Sequence, residues 1–197
     1  MKNQIQKLIG KGLVVAAALI VLTQFGCNKS DNTYFGVSPK LTAYGVVKAG
    51  SWYKFRDSLG TKKDCVAVIK LSNTFNPIAG EAEENLYQTI IVELKHFPSL
   101  DTSRIVMVRN RDTSIFKYTN TLKKETTILT EPLKAGIITT RLESLKSGKY
   151  LFTDILVVSE ANKPDSMLYI ARGKWMVKKI YSSTPQQKWI LDTLVIR

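Results

Sequence analysis

The sequence predicts an all-β fold: an antiparallel meander forming a single barrel, half-barrel or sandwich of about ten strands, after an N-terminal signal peptide. Short β-branched or alternating apolar stretches are separated by polar turns, and no window of about 11 to 18 residues has helical spacing. The chain has 197 residues, of which 44% are hydrophobic and 23% charged. This length and composition are typical of a globular chain with one core.

The candidate strands are bounded by Gly, Pro, Ser and other turn-forming residues. Ser51–Asp57 alternates Tyr53 and Phe55 with charged residues, and a Gly-containing loop connects it to the β-branched run Cys65–Leu71. The other candidates are Tyr87–Leu94, Ile105–Arg109, Ser114–Tyr118, Thr126–Thr130, Gly136–Leu142, Lys149–Val158, Ser166–Ala171, Trp175–Tyr181 and Lys188–Ile196. Ala79–Asn85 is predicted to be a loop or one short helical turn.

The N-terminal segment predicts export from the cytoplasm. Lys2, Lys7 and Lys11 precede the apolar run Leu13–Leu22, which has about half the length that a bilayer-spanning helix needs. The segment after it is polar and rich in turn formers, as expected of a flexible tether. The predicted organisation is therefore a lipoprotein signal peptide at 1–26, a tether at 27–36 and a single β-rich domain at 37–197.

The junction between Gly26 and Cys27 resembles a bacterial lipobox, in which cleavage occurs before a cysteine whose thiol carries diacylglycerol. Gln24 and Phe25 occupy the places where the usual motif has Leu and a small residue. Cys27 is the predicted lipid attachment site. The alternative is ordinary signal cleavage, which leaves the Cys27 thiol free to pair with Cys65 in an oxidising periplasm. These two outcomes exclude each other.

Few residues are suited to catalysis or to metal binding. One His and two Cys predict no zinc or iron site and no cofactor, and the common metalloprotease, nucleotide-binding and serine-hydrolase motifs are absent from the sequence. His96 is a candidate general base for Ser99 or Ser103, but its place beside a Phe-Pro turn is more typical of a solvated or capped strand end. Cys65 lies in an apolar run, which predicts an unreactive thiol with a raised pKa. No enzymatic activity is expected.

The only dense acidic cluster consists of Glu81, Glu83 and Glu84. Paired carboxylates can serve glycoside hydrolysis, and oxygen ligands can hold Ca²⁺ weakly. Their position in an Ala- and Gly-containing loop instead favours solvent-facing side chains, and the spacing of an EF-hand is absent. The sequence therefore predicts neither catalytic residues nor metal ligands.

The chain is basic, with 29 Lys+Arg against 16 Asp+Glu and a formal charge of +13. Three of these cations belong to the predicted signal peptide, so the mature chain carries 26 basic residues and a charge of +10. The densest basic stretch contains Arg104, Arg109, Arg111, Lys117, Lys123 and Lys124. Such a stretch attracts anionic envelope lipids or polysaccharide, or protects sheet edges from pairing. Nucleic acid is not an expected partner, because no reader motif is present.

Two stretches resemble a pattern in uncharacterised Bacteroidota-type outer-membrane and periplasmic lipoproteins. Gly50–Gly60 (GSWYKFRDSLG) is similar to an initial motif of Gly, Trp, Tyr, Asp-Ser and Gly, and Tyr169–Lys178 (YIARGKWMVK) with Trp189–Leu191 is similar to the ending. The resemblance implies a mostly β lipoprotein without catalytic residues. The residues themselves indicate an architectural role, since Tyr53 and Phe55 on one strand face bury a large apolar area.

We therefore expect a lipid-anchored cell-envelope protein that is attached to the outer membrane and faces the periplasm or the cell surface. Its expected role is that of a non-enzymatic structural or binding accessory. The alternative is a β-barrel-like carrier of an acyl chain or another hydrophobic ligand. An apolar cavity of several hundred Å³ favours the carrier, whereas a filled core favours the accessory.

Overall fold

The computed structural model describes residues 32–123, 125–133, 137–160, 163–181 and 187–196. These described residues form one short helix, α1 (Pro39–Gly45), and twelve strands. The strands are β1 (Thr33–Phe35), β2 (Trp52–Asp57), β3 (Lys63–Pro77), β4 (Asn85–Phe97), β5 (Thr102–Asn110), β6 (Thr113–Thr119), β7 (Glu125–Glu131), β8 (Ile137–Ser147), β9 (Tyr150–Glu160), β10 (Lys163–Ala171), β11 (Trp175–Tyr181) and β12 (Gln187–Val195).

Eleven of these strands form a nearly closed, barrel-shaped antiparallel sheet, which confirms the predicted fold class. The hydrogen-bonded order is β7-β6-β5-β4-β3-β2-β12-β11-β10-β9-β8. Two meanders, β2 to β7 and β8 to β12, are therefore joined where β2 pairs with β12, with Trp52 opposite Val195. The two ends of this order are β7 and β8. We call the gap between these two edge strands the seam.

The helix α1 is an element that the sequence analysis missed. Ser38 caps its N-terminus by accepting a hydrogen bond from the Lys40 amide at 3.3 Å, and Pro39 occupies the first helical turn. Leu41 is fully buried at the end of the barrel. A β-carbon built at Gly45 would overlap the Met107 side chain, so this glycine allows α1 to pack closely against the barrel interior.

The predicted tether is also wrong for its last residues. Thr33–Phe35 forms the parallel strand β1 along Asn85–Tyr87 of β4, and the Phe35 ring stacks on Tyr87 with 4.8 Å between centroids. Chain contacts place the start of the folded unit at Thr33, not at residue 37. Polar residues at this point favoured a tether on composition, but aromatic stacking and a three-residue ladder hold them on the sheet. The predicted signal peptide lies outside the described residues.

Large side chains fill the interior of the barrel. Inward-facing residues of the strands alternate with outward-facing ones, as the period of two requires. The largest fully buried side chains include Tyr53, Phe116, Leu41, Leu94, Ile105 and Met107. Trp175 of β11 lies 5.7 Å from both the Phe116 and the Tyr118 ring centroids, so it connects the two meanders across the interior. No helix in the described part of the chain is both long and apolar enough to span a bilayer.

Candidate functional site

A concave site that both meanders line lies at the seam. β7, β8, β9 and α1 line a cleft of about 600 Å³, which we call the seam cleft. Its walls include Leu129–Leu133 from β7 and the segment that follows it, Thr139–Arg141 from β8, and Asp154 and Leu156 from β9. The cleft exists because the two edge strands diverge instead of pairing, so side chains from both edges face a common space.

The helix α1 connects the two sides of the seam. On the β7 side, the Ser38 hydroxyl donates a short hydrogen bond to the Glu131 carboxylate. On the opposite side, the Tyr44 hydroxyl donates to Asp154 Oδ1 of β9 at 2.6 Å. The Gly173 amide, in the β10–β11 turn, donates to the Ala43 carbonyl at 2.7 Å. The seven-residue helix is therefore anchored to both meanders, and it fixes the width of the cleft.

Asp154 organises the charged wall of the seam cleft. It has the left-handed backbone conformation, with φ of 55°, which Asp tolerates better than most residues. Besides Tyr44, it accepts hydrogen bonds from Arg141 Nε at 2.8 Å and from Arg172 Nη1 at 3.5 Å. The hydrogen bond from Tyr44, followed by that from Arg141, holds the pKa of Asp154 below its usual value. Burial and the bond to Asp154 raise the pKa of Tyr44 to about 12.

This arrangement presents two guanidinium groups at one position. The Arg141 and Arg172 side chains are 70% and 65% exposed, and their bonds to Asp154 occupy only some of their N–H donors. Lys40 of α1 adds a third cation to the lining, whereas Leu129 and Leu156 supply buried apolar surface. The seam cleft therefore combines three cationic side chains, the carboxylates of Glu131 and Asp154 that bond to α1, and an apolar wall.

A second polar cluster lies at the opposite end of the barrel, and we call it the interior polar chain. His96 Nδ1 lies 3.1 Å from Asp64 Oδ1, and His96 Nε2 lies 2.8 Å from Ser103 Oγ. Lys179 Nζ donates to Asp64 Oδ2 at 3.0 Å. The same ammonium group lies 5.2 Å from the Phe55 ring centroid and 5.0 Å from that of Trp189. The two stretches that carry the family resemblance thus meet at Lys179.

The interior polar chain distinguishes the two strand-end settings that the sequence predicted for His96. It is only 8% exposed and holds two side-chain partners near the end of β4, so it is a capped residue and not a solvated one. Of the two serines proposed as partners of His96, Ser103 forms the hydrogen bond, whereas Ser99 is exposed in the turn that follows β4. Burial alone would raise the pKa of Asp64, but the hydrogen bond from His96 and the ion pair with Lys179 lower it to about 2.

The order Asp64, His96, Ser103 has the connectivity of an acid–base–nucleophile relay. Such a relay also needs an open side at the serine and hydrogen-bond donors where an oxyanion would form. Ser103 is 4% exposed, and its face of β5 continues directly into the core at Ile105. In the described structure, the cluster satisfies buried polar groups inside the barrel.

The predicted basic stretch does not form one patch. Arg104 lies near the start of β5 and Arg111 lies beyond its end, so the length of the barrel separates them. Arg111 Nε pairs with Glu81 at 2.7 Å, and Lys117 Nζ pairs with Glu125 at 2.7 Å. The remaining described members are the half-buried Arg109, which donates to Ser114 at 3.4 Å, and Lys123, which donates to Thr102 at 3.4 Å. Lys124 lies outside the described residues.

The other candidate residues have mainly structural surroundings. Glu81 also accepts a hydrogen bond from Tyr87 at 3.3 Å, while Glu83 and Glu84 are exposed in a turn without helical structure. Cys65 is a half-buried free thiol in β3 whose pKa is raised by burial, as predicted. Within the described ranges, no group of three His, Cys, Asp or Glu side chains is placed to hold a metal ion. Cys27 lies outside the described residues.

Sequence reasoning did not find the seam cleft, because its walls come from strands far apart in the chain. Arg141, Asp154 and Arg172 belong to β8, β9 and the β10–β11 turn, and each one alone looks like an ordinary exposed charge. The Ser38-Pro39 pair is the local signal that marks the start of α1. The chain matches no protein-family model, no curated protein and no solved structure.

Proposed function

We propose that this protein is a lipid-anchored cell-envelope protein that acts as a non-enzymatic binding accessory, with the seam cleft as its binding site. The ligand group is a phosphate or carboxylate of an envelope lipid or polysaccharide. Cys27 carries the lipid, which attaches the domain to the outer membrane on its periplasmic or outer face. The lipobox-like junction at Gly26-Cys27 supports the anchor, and the resemblance to Bacteroidota lipoproteins agrees with it.

The observation that carries the proposal is the pair of guanidinium groups that Asp154 holds at the wall of the seam cleft. Planar guanidinium groups recognise phosphate and carboxylate through paired hydrogen bonds. Because Asp154 fixes one side of Arg141 and of Arg172, their remaining donors are directed with less loss of side-chain entropy on binding. Lys40 lines the same cleft and adds attraction for an anion.

The apolar wall favours an amphipathic ligand. Leu129 and Leu156 are buried in the cleft wall, whereas Leu133 is 61% exposed at its margin. A ligand that places its anionic group between the arginines would lay an adjoining apolar portion against these leucines. Envelope lipids have this combination, and acidic polysaccharides have only the anionic part.

Calorimetric titration of the full chain in a non-ionic detergent tests this function. The ligands are short-chain phosphatidylglycerol, short-chain phosphatidylcholine, inorganic phosphate and oligogalacturonate. We expect an anionic ligand to bind, and the double variant R141Q/R172Q to bind it at least about tenfold more weakly, a loss of about 1.4 kcal/mol. The matched control is Lys146→Gln. Lys146 is an exposed cation on β8, the strand that carries Arg141, and it does not line the cleft.

The ligands separate the possible sources of the anion. Preference for phosphatidylglycerol over phosphate indicates a lipid, and preference for oligogalacturonate indicates a polysaccharide. Equal binding by R141Q/R172Q and K146Q would overturn the assignment of the cleft, as would the failure of every anionic ligand to bind. Circular dichroism of both variants establishes that they are folded.

The lipid anchor has its own test. Cells that express the full chain are fed an alkyne analogue of palmitate, and the protein is recovered and examined for label. We expect label on the wild type and none on Cys27→Ala. An unlabelled wild type, or label that survives in C27A, contradicts the anchor without bearing on the cleft.

The second candidate function is that of a carrier for an acyl chain, which the barrel-shaped sheet supports. The filled interior favours the first function, because Phe116, Met107 and Leu41 occupy the space that a chain would need. A carrier would have to displace α1 to open that space. Native mass spectrometry of the protein from its own membrane distinguishes the two, since a carrier is released with a separable acyl ligand in addition to its covalent lipid.

A further inference from the structure

Among the described residues, the second half of β3 has a neighbouring strand on one side only. β2 begins at Trp52, opposite Ala67, and just before it the Ser51 carbonyl and the Gly50 amide pair with the Val68 amide and carbonyl. From Lys70 to Pro77, the ladder that the described residues form runs to β4 alone. We call Lys70–Pro77 the free edge. On an antiparallel edge, alternate residues direct their N–H and C=O groups away from the paired strand.

The free edge lacks most devices that keep exposed edges from pairing. It contains one lysine, no acid, and no proline before Pro77. Leu71 is 40% exposed and Phe75 is 37% exposed on the same strand face. The ring of Tyr34, in β1, packs edge-on against Phe75 with 5.3 Å between centroids, which extends this apolar surface. A strand that has unpaired backbone groups and exposed apolar side chains on one face is a template for one more strand.

We propose that a second copy of this chain occupies the free edge, with the two strands antiparallel about a two-fold axis that passes through Asn73. In this register Leu71 of each copy lies opposite Phe75 of the other, and Ser72 lies opposite Thr74. The apolar pairs share one face of the joined sheet, and the polar pairs share the other. Cross-strand pairs of this kind stabilise antiparallel sheets.

The sequence of the free edge favours this register over its neighbours. A two-fold axis perpendicular to the joined sheet keeps each side chain on the same face in both copies, so two residues that lie opposite each other differ by an even number of positions. The axis therefore passes through a residue, and the neighbouring registers have it pass through the residue before or after. An axis through Ser72 places Leu71 opposite Asn73, and an axis through Thr74 places Phe75 opposite Asn73. Only the axis through Asn73 pairs the two large apolar side chains.

Charge is also compatible with a second copy. In the proposed register the two Lys70 side chains lie six residues apart along the pair, which is about 20 Å. The Debye length at physiological ionic strength is about 8 Å, so these cations repel each other weakly. Because the free edge holds no other charge, a symmetric pair costs little in electrostatic repulsion.

Site-specific cross-linking tests the axis directly. Cysteine is placed at position 73 or 76 of the full chain in a Cys65→Ser background, and a short thiol cross-linker is added in detergent solution. Residue 73 faces its own copy about 5 Å away, whereas the two residues 76 lie about 20 Å apart. We expect N73C to form at least about tenfold more cross-linked dimer than N76C or the parent C65S chain.

The outcomes are distinct. Equal cross-linking of N73C and N76C overturns the register. The parent C65S chain is the background control, because it reports any cross-link formed through Cys27. Cross-linking of N73C in cells to a different protein overturns the second copy as the occupant. Failure of the seam cleft to bind an anion has no bearing on these results.

Sedimentation of two lysine variants provides an independent measurement. Leu71→Lys places a cation opposite Phe75 of the partner, and it is expected to shift the full chain from dimer to monomer. The matched control is Leu59→Lys, at an 80% exposed leucine in the β2–β3 turn, which is expected to leave the dimer intact. A wild-type monomer, or a dimer that L71K does not weaken, overturns the proposal.

Discussion

The Ser147 hydroxyl accepts a hydrogen bond from the Leu191 amide at 3.3 Å and donates one to the Val177 carbonyl at 2.7 Å. It thereby replaces a backbone ladder bond where β11 and β12 separate, since their pairing in register ends at Lys178 and Ile190. The β8–β9 turn is inserted between the two strands, and one side chain satisfies a backbone group on each.

Ser147→Ala is expected to lower the free energy of unfolding by about 2 kcal/mol, because it leaves two buried backbone groups unpaired. Ser144→Ala, on an exposed position of the same strand, is expected to change it by less than about 0.5 kcal/mol. Urea unfolding followed by tryptophan fluorescence measures both. Equal stabilities for the two variants would show that water replaces the lost hydroxyl.

The next residue in the same turn predicts a larger effect. Gly148 has φ of 59°, and a β-carbon there would overlap the Leu191 carbonyl oxygen, a backbone atom that cannot move without disturbing β12. Gly60 has φ of 73°, but a β-carbon there would meet no atom within 4 Å. Gly60→Ala is expected to cost about 1 kcal/mol for its backbone conformation alone. Gly148→Ala is expected to exceed that loss by at least about 2 kcal/mol in the same unfolding experiment. If both variants lose a similar free energy of unfolding, overlap with the Leu191 carbonyl oxygen does not contribute to the loss.

Local patterns predicted the strands more reliably than their ends or their partners. Tyr53 and Phe55 alternate with charged residues, and both are buried as the alternation predicted. β3 continues to Pro77, beyond the predicted end at Leu71, because pairing with β4 stabilises a polar stretch that lacks a strand signal of its own. The helix α1 has seven residues, too few to show helical periodicity, and its stability comes from contacts with distant strands.

The two polar clusters depended on contacts that no local pattern contains. The pairing of His96 with Ser103 was considered because the two residues are close in sequence. Asp64 and Lys179 complete that cluster from β3 and β11, and their Oδ2–Nζ contact joins positions 115 residues apart. Only the barrel topology brings such residues together, so the sequence revealed half of the interior polar chain and none of the seam cleft.

The interior polar chain predicts a dependence of stability on pH. Asp64 has a pKa of about 2 in the folded state, below the value of about 3.9 for an unfolded Asp. A lowered folded-state pKa contributes stability that is complete above the unfolded pKa and is lost as pH falls through the folded one. We expect about 2 kcal/mol of this stability to disappear between about pH 5 and pH 2.

Asp64→Asn should remove most of this loss of stability at low pH, which we call the acid limb of the pH profile. At pH 7 it should also cost about 3 kcal/mol, because Lys179 is then buried beside a neutral partner. Asp112→Asn, at an exposed carboxylate in the β5–β6 turn, is the control and should retain the wild-type pH profile. The measurement is urea unfolding at a series of pH values, and an acid limb that persists in D64N would assign it to other carboxylates.

The connection across the seam predicts an energetic coupling between Tyr44 and Asp154. The hydrogen bond from the Tyr44 hydroxyl to Asp154 is 2.6 Å long, and the phenol is largely buried. A double-mutant cycle with Tyr44→Phe and Asp154→Asn is expected to give a coupling of about 1 kcal/mol in the free energy of unfolding. Asn also tolerates the left-handed backbone conformation, and its Oδ1 can still accept a hydrogen bond, so the cycle measures the part of the coupling that depends on the carboxylate charge.

The same cycle between Arg172 and Asp154 is the control for this coupling. That contact is 3.5 Å long and its arginine is 65% exposed, so the coupling of Arg172→Gln with Asp154→Asn is expected to stay below about 0.5 kcal/mol. A larger coupling for Tyr44 than for Arg172 follows only if Asp154 anchors α1 to β9 as well as holding the arginines. Equal couplings would mean that α1 is held by its other contacts, at Leu41, Ser38 and Ala43, and that Asp154 serves mainly to position the two guanidinium groups at the seam cleft.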